Sequence, residues 1–221
     1  ARADALLVNL GATGAEQRQA MLIGAETANA LAKPVVIDPV GVGTSPLRRD
    51  TLAELLTTRQ ISCIRGNISE IKALAGLSTD AGGVDASESD LADPAAFALA
   101  ARMARKLAAA HNTVIAISGP QDIISDGRTT YVVNGGNAMM TRVTGSGCTL
   151  TGIVAAFAAA APEDVLRAAT AAIGLMCLAG DQALEKAGHH ATASFHTAMF
   201  DALSAITPED LAAALRLEQL N

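Results

Sequence analysis

Aromatic residues are scarce in this 221-residue sequence: they make up 2% of it, with no Trp, one Tyr and four Phe. Half of the residues are nevertheless hydrophobic. The core must therefore be built from Ala, Val, Leu and Ile, which suits helices packed on a buried parallel sheet. Cysteine is sparse too. Cys63, Cys148 and Cys177 are odd in number and far apart, and no CxxC pair or Cys/His cluster occurs. That argues against a zinc site or a disulfide scaffold and for reduced thiols in a cytoplasmic compartment. Positive charge is also short. A net charge of -6 without any basic stripe leaves no electrostatic footprint for nucleic acid. No run of residues is apolar and long enough to span a bilayer, and none resembles a secretion signal. The longest candidate, around Leu150 to Ala161, is Ala-rich and stops at Pro162, as a core helix would. The net charge points to a soluble protein that is not a polyanion binder, and to nothing more. An acidic protein can still hold a polyphosphate, because local loops and a bound cation neutralise it.

The chain has no initiator Met and enters a buried strand almost at once, at Ala5 to Leu10, from which we expect sequence upstream of Ala1. Short β-rich runs then alternate with Ala/Leu-rich stretches of helical period. The predicted strands are Ala5 to Leu10, Pro34 to Asp38, Ile61 to Arg65, Thr113 to Ser118, Gln121 to Ser125 and Thr129 to Val133. The predicted helices cover Glu16 to Leu31, Arg48 to Arg59, Ile68 to Ala75, Asp93 to Ala110, Thr149 to Ala160, Pro162 to Glu185 and Ser194 to Ala205, with a last one from Pro208. The early βαβ order implies right-handed crossovers and a parallel sheet. Ser125-Asp126-Gly127-Arg128 reads as a hairpin turn that adds an antiparallel edge. Gly82-Gly83-Val84-Asp85 reads as a mobile surface loop. No linker or repeat divides the chain, so residues 1–221 are expected to form one domain.

Four segments carry chemistry. Thr144-Gly145-Ser146-Gly147-Cys148 runs into a helix, and its glycines let the backbone turn and approach a ligand closely. The free N–H groups and dipole of that helix start form an anion site suited to a phosphoryl group in transfer. Cys148 stands in the first turn, where a thiol is commonly more acidic. The plainer alternative is a helix cap with Cys148 as a small buried filler. Since no Gly-Lys-Ser/Thr follows, this is not a Walker A loop. Arg65-Gly66-Asn67-Ile68-Ser69-Glu70 joins a strand end to a helix, with Asn67 and Glu70 spaced as a capping box. Alternatively, Glu70 orders water around Mg²⁺ and Arg65 pairs with phosphate; a hard cation prefers oxygen ligands and keeps most of its water. Asp38 ends a hydrophobic strand just before Pro39, as a turn former or a second acidic group for the metal. Ser118, before Gly119-Pro120, either forms the turn or touches a phosphate. In an open parallel sheet the crevice lies beyond the carboxyl ends of the strands, and there these groups converge. A nucleotide crevice is the expectation.

These segments also carry a resemblance. Pro34-Val35-Val36-Ile37-Asp38-Pro39-Val40-Gly41, Ile64-Arg65-Gly66-Asn67-Ile68-Ser69-Glu70-Ile71, Ile115-Ala116-Ile117-Ser118-Gly119 and Arg142-Val143-Thr144-Gly145-Ser146-Gly147-Cys148 occur in the order and spacing of hydroxyethylthiazole kinases. The chain resembles that family over nearly its whole length. The resemblance implies a ribokinase-like three-layer α/β/α fold with a mainly parallel sheet and an antiparallel edge. It implies transfer of a phosphoryl group from ATP, with Mg²⁺, to the primary alcohol of 4-methyl-5-(2-hydroxyethyl)thiazole. Cys148 would be the catalytic group facing the alcohol, in place of the Asp that ends this motif in most ribokinase relatives. Gly145, Ser146 and Gly147 would hold the phosphoryl group, and Gly145 would also touch the substrate. Arg65, Asn67, Ser118 and Thr144 would bind ATP, while Asp38 and Glu70 would organise Mg²⁺. A homotrimer with active sites at subunit contacts is implied as well.

Two departures qualify the resemblance. The family carries a further N-terminal stretch that supplies a strand and part of the alcohol pocket. It also has Gly-Pro-Gly-Ser-Phe where this chain has Ala191-Thr192-Ala193-Ser194-Phe195, and losing two glycines restricts the backbone there. Competing readings are a hydroxymethylpyrimidine kinase, disfavoured by the RGNxSE segment; a nucleotide-binding protein without transferase activity; and a repair lyase of the same fold, disfavoured by Cys148. Cys63 and Cys177 are read as core, and His189 and His190 as solvated. His111 and His196 have no carboxylate partner in sequence.

Overall fold

The computed structural model describes residues 2–77 and 93–220; Gly82-Gly83-Val84-Asp85 lie outside them. Val- and Ile-rich runs become the strands β1 (Leu6–Asn9), β2 (Val35–Asp38), β3 (Cys63–Asn67), β4 (Val114–Ser118), β5 (Gln121–Ser125) and β6 (Thr130–Asn134), with a further β7 (Arg216–Leu220). The helices are α1 (Ala15–Ala30), α2 (Pro46–Thr58), α3 (Ile68–Leu77), α4 (Pro94–His111), α5 (Ser146–Ala160), α6 (Val165–Ala187), α7 (Thr192–Ala205) and α8 (Pro208–Ala214).

The seven strands lie in chain order in one sheet. β1 to β4 are parallel, with Val8 opposite Ile37, Ile37 opposite Ile64, and Ile64 opposite Ile115. From β4 onward each neighbour is antiparallel. A parallel sheet is buried on both faces, and all four residues of β2 are buried. Alternate side chains serve opposite layers. Val35, Ile37, Ile64 and Ile115 pack with Leu52, Leu55, Leu74 and Ala104 of α2, α3 and α4. Val36, Cys63 and Ala116 pack with Val154, Ile173 and Phe195 of α5, α6 and α7. Three layers, helix on sheet on helix, result as expected. Alanines dominate the buried side of α6, so helices there approach closely without aromatic filling. Phe195 is the exception, fully buried; truncating such a ring to Ala costs about 3–5 kcal/mol.

Several boundaries differ from expectation for identifiable reasons. Helix α2 starts at Pro46 rather than Arg48, because Ser45 caps it by accepting from the Arg48 amide and proline is suited to the first turn. Helix α6 starts at Val165, not Pro162, because Asp164 caps it through the Arg167 amide at 3.1 Å. Strand β3 begins at Cys63 and runs on to Asn67. The final helix does not continue to the end of the described residues. It stops at Ala214, and Arg216–Leu220 pairs antiparallel with β6. The Ser125–Arg128 turn is as expected: Gly127 takes a φ of +91°, and Asp126 Oδ1 accepts from the Arg128 and Thr129 amides at 2.8 and 2.7 Å.

Because β1 to β4 are parallel, their carboxyl ends share one edge. Asn9 is opposite Asp38 in the register there, and Asn67 is opposite Ser118.

Candidate active site

Asp38 ends β2 with 1% of its surface exposed. Its Oδ2 accepts from Asn9 Nδ2 at 3.1 Å and from Thr151 Oγ1 at 3.0 Å. Burial raises its pKa above the ordinary value, and the nearby charge of Arg65 and hydrogen bonds from Thr151 and Cys148 oppose that rise. The Asn9 amide also donates to Cys148 Sγ at 3.2 Å. Its orientation is fixed from the other end, since Asn9 Oδ1 accepts from the Gly11 amide at 2.8 Å. Cys148 is exposed, not a buried filler. Its thiol thus opens to the crevice while tied to the Asp38 carboxylate.

Arg65, in β3, is 8% exposed and forms no ion pair within the distance of direct contact among the described residues. Its Nη2 donates to Ser118 Oγ at 2.5 Å, while its Nε is buried without a partner. The charge of Arg65 acts on Asp38, Glu70 and Asp122, opposing the raised pKa of each. A buried guanidinium with unused donors is costly unless something occupies them; an anionic ligand would. Asp122 itself, in β5, accepts from the Gly119 amide at 3.1 Å and from the Cys177 thiol at 3.3 Å. Burial pushes its pKa up to about 6.

Asn67 and Glu70 form the capping box that their spacing predicted. The Glu70 amide donates to Asn67 Oδ1 and the Asn67 amide to Glu70 Oε2, both at 2.9 Å. The Gly41 amide adds a third bond, to Glu70 Oε1 at 3.2 Å. Burial raises the Glu70 pKa, the Asn67 and Gly41 amides lower it, and the charge of Asp38 raises it further. Glu70 therefore feels the charge of Asp38 across the crevice. Among the described residues, no group of three or more His, Cys, Asp or Glu could cage a metal ion. A buried and a half-buried carboxylate whose oxygens retain spare lone pairs fit Mg²⁺ instead, since that ion keeps several waters and takes one or two carboxylates plus substrate phosphates.

The start of α5 supplies the opposite charge. Gly145 adopts a φ of +87° as the residue before the helix, a conformation that favours glycine. The first intrahelical bond runs from the Thr149 amide to the Gly145 carbonyl, and the Gly147 and Cys148 amides have no acceptor within the described protein. They are the free donors of a helix N-terminus. The Ser146 amide turns back to the Val143 carbonyl at 3.4 Å and its hydroxyl to the Met140 carbonyl at 3.1 Å. A Cβ at Gly147 would lie 2.9 Å from Arg65 Nη1, so the buried guanidinium rests against this turn. Thr144 is exposed beside it.

Asp38, Glu70, Arg65, Ser118 and the Gly145–Cys148 turn thus meet along one edge. Sequence reasoning missed Asn9, Thr151 and Asp122. Thr151 stands three residues after Cys148 on a helix, hence on the same face, which was an available signal. Asn9 is a polar residue closing an apolar strand, a weaker one. His189 and His190 are exposed, and His196 packs at a tilt against Phe200, with ring centroids 4.9 Å apart, so none joins the site. Ala191 precedes α7 with a φ of -108°. This chain therefore uses no left-handed residue where the family has its glycines.

Known proteins resemble this chain over nearly its whole length. Residues 1–209 match the model of the hydroxyethylthiazole kinase family. The chain is 42% identical over 217 residues to a hydroxyethylthiazole kinase of Roseiflexus sp. (strain RS-1), covering 98% of this chain and 77% of that one. A solved hydroxyethylthiazole kinase of Pyrococcus horikoshii superposes with a TM-score of 0.85 at 30% identity, over 99% of this chain and 78% of that one. A ribokinase-like superfamily protein of Enterococcus faecalis is similar in fold, with a TM-score of 0.61 at 17% identity over 94% of this chain and 65% of that one. With its family motifs converging on one crevice of a ribokinase-like α/β fold, this chain belongs to the hydroxyethylthiazole kinase family.

Proposed function

We propose that this protein transfers the γ-phosphoryl group of ATP to the hydroxyethyl group of 4-methyl-5-(2-hydroxyethyl)thiazole, a thiamine salvage step. The observation that carries this reading is the pairing of free Gly147 and Cys148 amides with a buried, incompletely bonded Arg65 beside them. Together they suit a phosphoryl group whose charge must be stabilised in flight. Phosphoryl transfer is mostly positioning and charge stabilisation.

In the proposed reaction the alcohol oxygen attacks the γ-phosphorus, the bond to the ADP oxygen breaks, and the alcohol proton passes to Cys148 Sγ in its thiolate form, which becomes the thiol. Asn9 holds that sulfur in place. The amides of the Gly145–Cys148 turn receive the transferring group, with Gly147 and Cys148 as its principal donors and Gly145 also against the thiazole. Arg65, Ser118, Asn67 and Thr144 bind ATP. Asp38 and Glu70 would hold Mg²⁺, which when bound neutralises phosphate charge. Since the transition state is loose, Cys148 need not be a strong base.

The family resemblance supports a homotrimer with active sites at subunit contacts, formed by the single domain of residues 1–221. Three unpaired cysteines suit a reducing, cytoplasmic location. Among the described residues no helix is long and apolar enough to cross a membrane.

The direct test is ADP production from MgATP with and without the thiazole alcohol, beside hydroxymethylpyrimidine as a comparator. Turnover dependent on the thiazole alcohol is expected. ATP binding without turnover on either alcohol would overturn the kinase reading.

A further inference from the structure

Arg48, on the first turn of α2, is a cation that the proposed reaction does not use. It is half-buried and forms no ion pair among the described residues. Its guanidinium instead spans two loops. Nη1 donates to the Val40 carbonyl at 3.1 Å, and Nη2 to the Gly11 carbonyl at 2.7 Å. Those loops follow β1 and β2, the strands that end in Asn9 and Asp38.

Each carbonyl belongs to a residue next to, or identical with, one that holds the site. Gly11 donates its amide to Asn9 Oδ1, which turns Asn9 Nδ2 toward Cys148 and Asp38. Gly41, next after Val40, donates its amide to Glu70 Oε1. Gly41 has a φ of +62°, and a Cβ there would collide with Arg48 Nη1. The loop is therefore shaped to admit the guanidinium. A planar fork is suited to gripping two acceptors at fixed spacing, which a lysine ammonium cannot do.

We infer that Arg48 is a positioning residue that locks the β1 and β2 loops together and thereby fixes both sides of the site, Asn9–Cys148 on one and Asp38–Glu70 on the other. It acts through backbone groups and touches no reacting atom. The inference rests on the proposal that Asp38 and Glu70 hold the divalent cation.

The test is Mn²⁺ binding in the presence of ADP, followed by the spectroscopic signal of free Mn²⁺, with wild type, E70Q, R48A, R48K and G41A. This readout reports the metal site without turnover, and an affinity does not depend on the fraction of protein correctly folded. Expected are Mn²⁺ dissociation constants raised about tenfold, a ~1.4 kcal/mol loss, in R48A and G41A, with R48K intermediate. R48K and G41A also keep the question answerable if R48A does not fold. Wild-type affinity in R48A or, failing that, in both R48K and G41A would overturn the inference while E70Q still weakens binding. Unaltered affinity in E70Q would remove the metal proposal and the inference with it.

Discussion

Asn9 donates from one amide nitrogen to Cys148 Sγ at 3.2 Å and to Asp38 Oδ2 at 3.1 Å. A single side chain at the end of β1 thus joins the thiol of α5 to the buried acid of β2. The thiol is in consequence aimed rather than free to rotate. General-base assistance is worth about 10²–10⁴-fold in rate, and the loose transition state of phosphoryl transfer places Cys148 at the low end. C148A should therefore lower kcat about a hundredfold while the KM for ATP changes less than about twofold. Steady-state kinetics on the thiazole alcohol measures both, and an unchanged kcat would remove the catalytic role.

Gly147 offers a separate handle on the phosphate side. A methyl group there would press on Arg65 Nη1 from 2.9 Å and displace the guanidinium from Ser118. Alanine is the better helix former by about 1 kcal/mol, so a loss of helix stability would not explain a defect. G147A should raise the KM for ATP about tenfold, equivalent to ~1.4 kcal/mol, as read from steady-state kinetics. Unaltered ATP affinity would sever Arg65 from nucleotide binding.

Asn67 has two jobs that substitution can separate. As the cap of α3 it accepts from the Glu70 amide, and its loss in N67A should cost about 1 kcal/mol by chemical denaturation. Asp caps as well as Asn, so N67D should keep that stability. It would also set a third anion beside Asp38 and Glu70, and the KM for ATP should rise. A KM that stays put in both variants would leave Asn67 as a cap alone.

Asp122 predicts a pH dependence of stability. Its pKa rises from 3.8 in the unfolded chain to about 6 in the fold, because burial disfavours the charged form. Between those values the folded protein binds more protons than the unfolded one, so stability falls as pH rises through this window. The gap corresponds to about 3 kcal/mol. D122N keeps an acceptor for the Gly119 amide without the charge. It should be more stable than wild type at pH 8 and equal to it near pH 4. Parallel denaturation curves at all pH values would contradict the assignment.

The parallel half of the sheet was legible because its strands announce themselves as short Val/Ile runs, each closed by a polar residue or a turn former. The same punctuation located Asp38, Arg65, Ser118 and the Gly145–Cys148 turn. β7 was not legible. Leu217-Glu218-Gln219-Leu220 favours a helix by propensity, and only the open edge of β6 makes it a strand. Asn9, in the same way, matters through a partner 139 residues away, a distance no local pattern encodes. The capping box of Asn67 and Glu70 is legible in their spacing alone. Its added bond to Gly41, which links Glu70 to the loop after β2, required the fold.

The order of strands in the sheet equals their order in the chain. Each strand therefore docks beside the one made just before it, and no strand has to be inserted between two already paired. Loop-closure costs stay modest under that arrangement, and the sheet can lengthen from one side as a ribosome delivers it. The growing edge is covered after one turn or one or two helices as far as β6, but the border of β6 waits for β7 until α5 to α8 have been made, so it is the strand border left unpaired longest during synthesis.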